Sequence, residues 1–357
     1  MRISQNHRIK IETTPTVRKI QRTEPRPKGT NATKLPRRRF LHIAASAAGL
    51  PAVSRTARAQ TYPIRPVRLI VAAAAGGPTD LIARLTGQWL SNRLGQQFII
   101  ENRPGGSNNI GTEVVVRAAP DGYTLLLVNA VNSINASLFE KLNYDFIRHI
   151  EPVASIARVP NIMEVHPSVP AVTVPEFIAY AKANPTKINM GTPGIGTPGH
   201  LCGELFKMMA GVNMVHVPYR GGAPMLTDLL GGHVQVTFDS IATSIEYIDS
   251  GKLRPLAVTT ATRWTGMPSV PTVGEFLPGF EATGWYGLGA PRGTPAEIIE
   301  KLNLETNSAL ADPGVKAKLS DLGFTVLAGS PADFGKFIGE ETAKWAKVVK
   351  FSGAKPE

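Results

Sequence analysis

The sequence predicts an α/β protein of two doubly wound lobes around a central cleft. Three observations predict it. At 357 residues the chain exceeds what one ordinary core accommodates. Short apolar runs alternate with stretches of helical periodicity, the mark of a parallel sheet with crossover helices. That alternation also begins twice, with a second series embedded between segments of a first.

The first series opens with the apolar run 67–75. Residues 80–94 follow with Leu81, Ile82, Leu85, Trp89 and Leu90 at helical spacing, and Gly95 ends that helix. Phe98-Ile99-Ile100 reads as a second strand, 110–119 as a helix and 124–128 as a third strand. The second series reads as helix 174–183, strand 188–191, helix 200–210 and strand 215–217. Helix 223–230, strand 234–238, helix 242–248 and strand 256–259 complete it. Elements resume after Gly284 and end in a helix from Pro331 to about Lys350. On this reading lobe I comprises 60–160 and 263–357, and lobe II comprises 161–262. The crossings fall at 152–165 and 256–262.

Composition excludes several classes. Hydrophobic residues make up 43% and charged residues 18%, which is globular and not disordered. The net charge of +12 does not indicate a nucleic-acid partner, because it is not spread over the chain. Residues 1–59 hold 14 Lys/Arg against two Asp/Glu, and the rest carries 25 of each sign. The folded part therefore has no overall basic field for a polyanion. The leader itself reads as a cleaved export signal. Arg37-Arg38-Arg39-Phe40-Leu41 resembles a twin-arginine signal, and Ala57-Arg58-Ala59 a peptidase site. Its apolar stretch of about 14 residues is shorter than the roughly 20 needed to cross a bilayer. Cys202 is the single cysteine, so no internal disulfide forms and a zinc site of paired spacing is excluded.

The chemistry should lie in the strand-to-helix loops, where ligands of open α/β sheets bind. Four are glycine-rich: 75–80, 103–107, 194–200 and 219–223. Glycine lets backbone N–H groups approach a ligand, and each following helix starts with unpaired donors. Such a start attracts an anion by about 0.3–1 kcal/mol. Gly194, Gly196 and Gly199 form a literal G-x-G-x-x-G, but the acidic residue expected about 20 positions on is missing. No cofactor is therefore expected. Neither a G-x-S-x-G elbow nor an H-E-x-x-H or clustered metal-ligand set is present. His200 and His216 read as structural, and Asp80 as a helix-start carboxylate. Asp239 either receives a ligand ammonium or hydroxyl or caps the next helix.

These residues resemble the receptors of tripartite tricarboxylate transporters, the Bug family. The landmarks are Tyr62-Pro63-x-Arg65-Pro66, Ala75-Gly76-Gly77-Pro78-Thr79-Asp80, Glu101-Asn102-Arg103-Pro104-Gly105 and Pro120-Asp121-Gly122-Tyr123. His216-Val217-Pro218-Tyr219-Arg220-Gly221, residues 251–259 and Val270-Pro271-Thr272 follow in order. The resemblance implies a type II periplasmic-binding fold, a periplasmic location and delivery of a small carboxylate to membrane permease subunits. It implies ligand carboxyls held by loop N–H groups and water, without an arginine clamp. By motif position, lobe I would contribute Ala75, Gly76, Thr79 and Asn129 or Asn132. Lobe II would contribute Thr192, Gly196, Thr197, Tyr219 and Asp239. One departure stands out: Ala72-Ala73-Ala74-Ala75 replaces the family's Pro-aromatic-Pro-Ala run, removing an aromatic at Ala73. Two rivals share the fold, a ligand sensor for a membrane kinase and a periplasmic enzyme. The absence of a nucleophile–base or metal set argues against the enzyme.

Overall fold

The computed structural model describes residues 62–356, so the expected leader 1–59 and its site at Ala59 lie outside the described residues. In chain order the first elements are β1 (Val67–Val71), α1 (Pro78–Leu94), β2 (Phe98–Asn102), α2 (Asn109–Val116), β3 (Thr124–Asn129), α3 (Ala130–Leu138) and α4 (Phe146–His149). Then come β4 (Ile150–Val165), α5 (Val174–Ala183), β5 (Asn189–Thr192), α6 (Pro198–Ala210), β6 (Val215–Pro218), α7 (Gly222–Leu230), β7 (Val236–Ser240), α8 (Ile241–Asp249) and β8 (Arg254–Val258). A 3₁₀ turn at Val273–Glu275 precedes β9 (Thr283–Pro291), α9 (Ala296–Ala311), α10 (Pro313–Asp321), β10 (Thr325–Val326) and α11 (Pro331–Ser352).

The strands form two sheets of the same plan. Lobe I has the order β2-β1-β3-β9-β4, with β1 parallel to β2 and β3 and with β9 inserted antiparallel. Lobe II repeats it as β6-β5-β7-β4-β8, with β5 parallel to β6 and β7 and with β4 inserted antiparallel. This is the two-lobed α/β architecture expected.

β4 belongs to both sheets. Its first part pairs with β9, from Ile150↔Pro291 to Pro160↔Thr283, and its second with β7 and β8 from Asn161↔Ser240 and Ile162↔Val258. A strand covered on both faces reads as nearly continuous apolar sequence, and most of its residues are buried. The chain returns at Ala282–Thr283. Thr259 N–H donates to the Asn161 carbonyl at 3.0 Å, Ala282 N–H donates to the Thr259 carbonyl at 3.0 Å, and β9 follows.

The return therefore lies later than the 256–262 expected. Residues 263–282, assigned to lobe I on sequence, place Val273, Phe280 and Ala282 in the lobe II core beside Phe177 and Phe206. The reason is backbone pairing: the segment folds back so that Val258 N–H donates to the Pro271 carbonyl at 2.8 Å. α11 also serves both lobes. Phe334 and Ile338 pack with Trp285 in lobe I, while Trp345, Val348 and Val349 enter the lobe II core. Between them Glu341 accepts from Trp285 Nε1 at 3.1 Å and Trp345 Nε1 at 2.9 Å.

The glycines of the 194–200 loop have mechanical reasons. Gly194 and Gly196 adopt φ of 143° and 75°, a region that disfavours side chains. A Cβ on Gly199 would meet the Phe238 carbonyl oxygen of β7 at 2.4 Å. That third glycine sets how closely α6 approaches its sheet. Gly199→Ala should destabilise the fold by about 1–3 kcal/mol through overpacking, measured as a lowered urea midpoint with unchanged slope.

Candidate functional site

A cavity of about 680 Å³ opens between the lobes, which is the size range of small-ligand sites. Its floor is the crossing strands, through Val159 and Asn161 of β4 and Gly284 and Tyr286 of β9. Lobe I supplies Pro78 and Leu81 from the start of α1, and residues 320–324 at the end of α10 and the turn after it. Lobe II supplies Pro193, Thr197 and Gly199 before and within α6, Asp239 and the start of α8, and Trp264.

Helices α1, α6 and α8 each start at this cavity. The first N–H groups of a helix have no carbonyl to bond within it, and the aligned peptide dipoles make that end positive. No lysine or arginine lines the cavity among the described residues. Fixed dipoles are thus its attraction for an anion.

The loops before α1 and α6 are held by the same device. Gly76 N–H donates to Asp80 Oδ2 at 2.9 Å, and Gly196 N–H donates to His200 Nδ1 at 3.1 Å. In each case a glycine of positive φ is tied to the side chain four residues on, beyond a proline at the helix start. Asp80 also accepts from Arg84 Nε at 2.8 Å and Asn102 Nδ2 at 3.0 Å. The Arg84 hydrogen bond holds its carboxyl below the ordinary value against the opposing effect of burial. His200 accepts at Nδ1, which places its proton on Nε2. Its ring stacks on His216 with centroids 4.0 Å apart. Burial keeps both neutral, lowering His200 to about 3 and His216 to about 4.

The sequence-predicted residues are distributed unevenly around this cavity. Thr197 and Asp239 line it, and Thr79 lies beside the hydroxyl of the lining residue Tyr286, a phenol that burial pushes up to about 12. Thr197 Oγ1 also accepts from His200 N–H at 3.3 Å as the α6 cap. Asp239 is only 7% exposed, accepts from Thr243 Oγ1 at 2.7 Å, and is raised by burial. Asp239 therefore faces the cavity and bonds the Thr243 side chain of α8, whose N-cap is Ser240.

The other predicted residues stand elsewhere. Ala75 and Gly76 are exposed, and the Gly76 and Gly196 amides expected to hold a ligand are committed to Asp80 and His200. Asn129 caps α3, accepting from Val131 N–H at 3.0 Å. Asn132 Oδ1 accepts from Asn129 N–H at 2.9 Å, and its Nδ2 donates to Thr112 at 2.9 Å. Thr192 Oγ1 lies 2.6 Å from His216 Nε2, and Tyr219 donates its hydroxyl to Asp228 at 2.6 Å. Ala73 packs against the lobe I core, its carbonyl accepting from Asn102 Nδ2 at 3.1 Å.

Three residues escaped the sequence reading. Asn161 lines the cavity at 5% exposure, and its Nδ2, itself buried, has no hydrogen-bond partner among the described residues. Trp264 and Tyr286 provide aromatic walls from segments outside the four glycine-rich loops. The available signal for Asn161 was a lone amide inside the apolar run Val159-Pro160-Asn161-Ile162-Met163.

Residues 82–353 match the tripartite tricarboxylate transporter family receptor. The chain belongs to that family. The receptor is 36% identical over 300 residues to protein BugT of Bordetella pertussis (strain Tohama I), covering 83% of this chain and 92% of BugT. Among solved structures it is similar to R. palustris Rpa4515 with adipate, at 40% identity and a TM-score of 0.72, over 83% of this chain and all (100%) of that one. It is also similar to MatC (Rpa3494) from Rhodopseudomonas palustris with bound malate, at 32% identity and a TM-score of 0.69, over 81% of this chain and 100% of that one.

Beneath the cavity the receptor buries an acid. Glu164 on β4 is 0% exposed, accepts from Ser244 Oγ at 2.5 Å through Oε1, and leaves Oε2 without a partner. Burial pushes its carboxyl up to about 8, and neighbouring Asp239 adds to the rise. A raised folded-state value means the protonated form stabilises the fold. That contribution is complete below the ordinary value of 4.5 and is lost as pH rises through about 8. Thermal stability should therefore fall by a few kcal/mol, at about 1.4 kcal/mol per unit, between pH 5 and 9. Glu164→Gln should flatten that slope and melt higher than the parent at pH 9.

Proposed function

We propose that this receptor captures a small carboxylate in the interlobe cavity, closes around it and passes it to the membrane subunits of a tripartite transporter. The observation that carries the reading is one cavity floored by both crossing strands, where three helix starts converge without a cation. Such a site attracts an anion by fixed dipoles and releases it when the lobes part. The relatives solved with adipate and with malate bear carboxylates, which supports the same class here. Thr79, Thr197, Asp239 and Asn161 are the side chains we assign to the ligand. Ala75, Gly76, Asn129, Asn132, Thr192, Gly196 and Tyr219 shape the surrounding loops. The family places the chain in the periplasm, and we assign its leader 1–59 to the twin-arginine route with cleavage after Ala59.

The decisive experiment is a thermal-shift screen of carboxylates on residues 60–357. A ligand at 100 times its Kd adds about 2.7 kcal/mol of stability, and it should be recovered chemically unchanged. Asn161→Leu, similar in volume but without the amide, should weaken binding about tenfold. Turnover of the ligand, or no stabilisation by any carboxylate, would reject the receptor reading. For the leader, replacing Arg37 and Arg38 with Lys should stop export, whereas unchanged export would assign the general secretory route.

A further inference from the structure

Which carboxylate fits depends on the wall made by residues 320–324. α10 ends there, with Leu322 as its cap residue. A helix C-terminus carries negative partial charge, although here the Leu319 and Ser320 carbonyls accept from the N–H groups of Leu322, Gly323 and Phe324. Asp321 stands on the same turn, exposed, lines the cavity and makes no ion pair among the described residues. Beside it the surface is apolar: Leu322, Phe324, Trp264, Leu81, Ile241 and Ile245. Gly323 brings this turn against α8, where its Cβ position lies 3.5 Å from Ala242 Cβ and 3.8 Å from Ile241 Cγ2. The lobes therefore approach each other across an apolar seam bordered by a negative helix end.

We propose that this cavity selects carboxylic acids of single negative charge with an apolar body, and that Asp321 with the end of α10 turns away a second carboxylate. The inference rests on the receptor reading and narrows its ligand. One anionic group finds the helix starts. A second would leave water to face Trp264, Phe324 and Leu322, with no lysine or arginine in the lining. It would also meet Asp321 and the negative end of the α10 dipole. A methyl or ring at that position loses nothing by leaving water and gains about 25 cal/mol for each Å² covered. The volume of about 680 Å³ leaves room for such a body.

Hexanoate and adipate test this, having the same six-carbon chain and differing only in the second carboxylate. Titration calorimetry at pH 7.5 should give hexanoate an affinity at least about tenfold above that of adipate. Asp321→Asn should raise adipate affinity about threefold while changing hexanoate little. Trp264→Ala should weaken hexanoate without unfolding the protein, as followed by its melting curve. Adipate binding as tightly as hexanoate or more tightly would overturn the inference and leave the receptor reading intact. An unchanged ratio in Asp321→Asn would remove Asp321 from the assignment. Failure of every carboxylate at millimolar concentration would overturn both the inference and the reading beneath it.

Discussion

β4 is one strand shared by two sheets, and the cleft follows from that sharing. Pro160 pairs with Thr283 of lobe I, and the next residue, Asn161, pairs with Ser240 of lobe II. The sheets therefore meet at a single peptide, and the return at Ala282–Thr283 is bonded to the same point through Thr259. Two adjacent strand crossings make a hinge whose axis runs through the cavity floor. Asn161 stands at that crossing and lines the cavity floor.

Both lobes use the same construction on either side of the hinge, and chemistry fills it differently. A glycine of positive φ precedes a proline-started helix, and its N–H is claimed by the side chain four residues on. In lobe I that side chain is the ionised Asp80, braced by Arg84 and Asn102. In lobe II it is the neutral His200, stacked on His216 above Thr192. Tying the loop amide internally costs one donor to the ligand but fixes where the following helix begins. The first-turn amides of that helix then stay in place without reorganisation when an anion arrives. The glycine loops act on the ligand through the helices they position.

The sequence revealed the fold well because the fold rests on local signals. Alternating apolar runs and the Gly95 stop, a glycine at positive φ, are decided within a few residues. The helix Ala130–Leu138 was harder, since Asn132 and Asn135 bond nearby backbone or neighbours and such residues favour caps and turns. The return crossing was illegible for a related reason. Residues 263–282 carry glycine and proline in place of periodicity, and their lobe is decided by pairing between Val258 and Pro271. The site divides in the same way. Thr197 sits in a loop after β5 and Asp239 at the end of β7, positions that follow from strand ends, whereas Asn161 and Trp264 reach the cavity only through tertiary folding. Loop glycine marks where a helix start will be, and says nothing of whether its own amide remains open.

The lining also explains how an anion can be bound and released without a salt bridge. An arginine in so enclosed a space would hold a carboxylate strongly, but would itself have to be desolvated and would remain unpaired in the empty cleft. Helix dipoles need no such compensation, because the backbone that generates them is paired along its own length. The attraction is there in the closed form, where water is displaced, and fades when the lobes open and solvent screens it. A transport receptor needs that contrast, since its ligand must leave at the membrane. The buried neutral Glu164 beneath Asp239 obeys the same economy. With its carboxyl raised, Glu164 adds less negative charge near a cavity whose lining already carries Asp239 and Asp321.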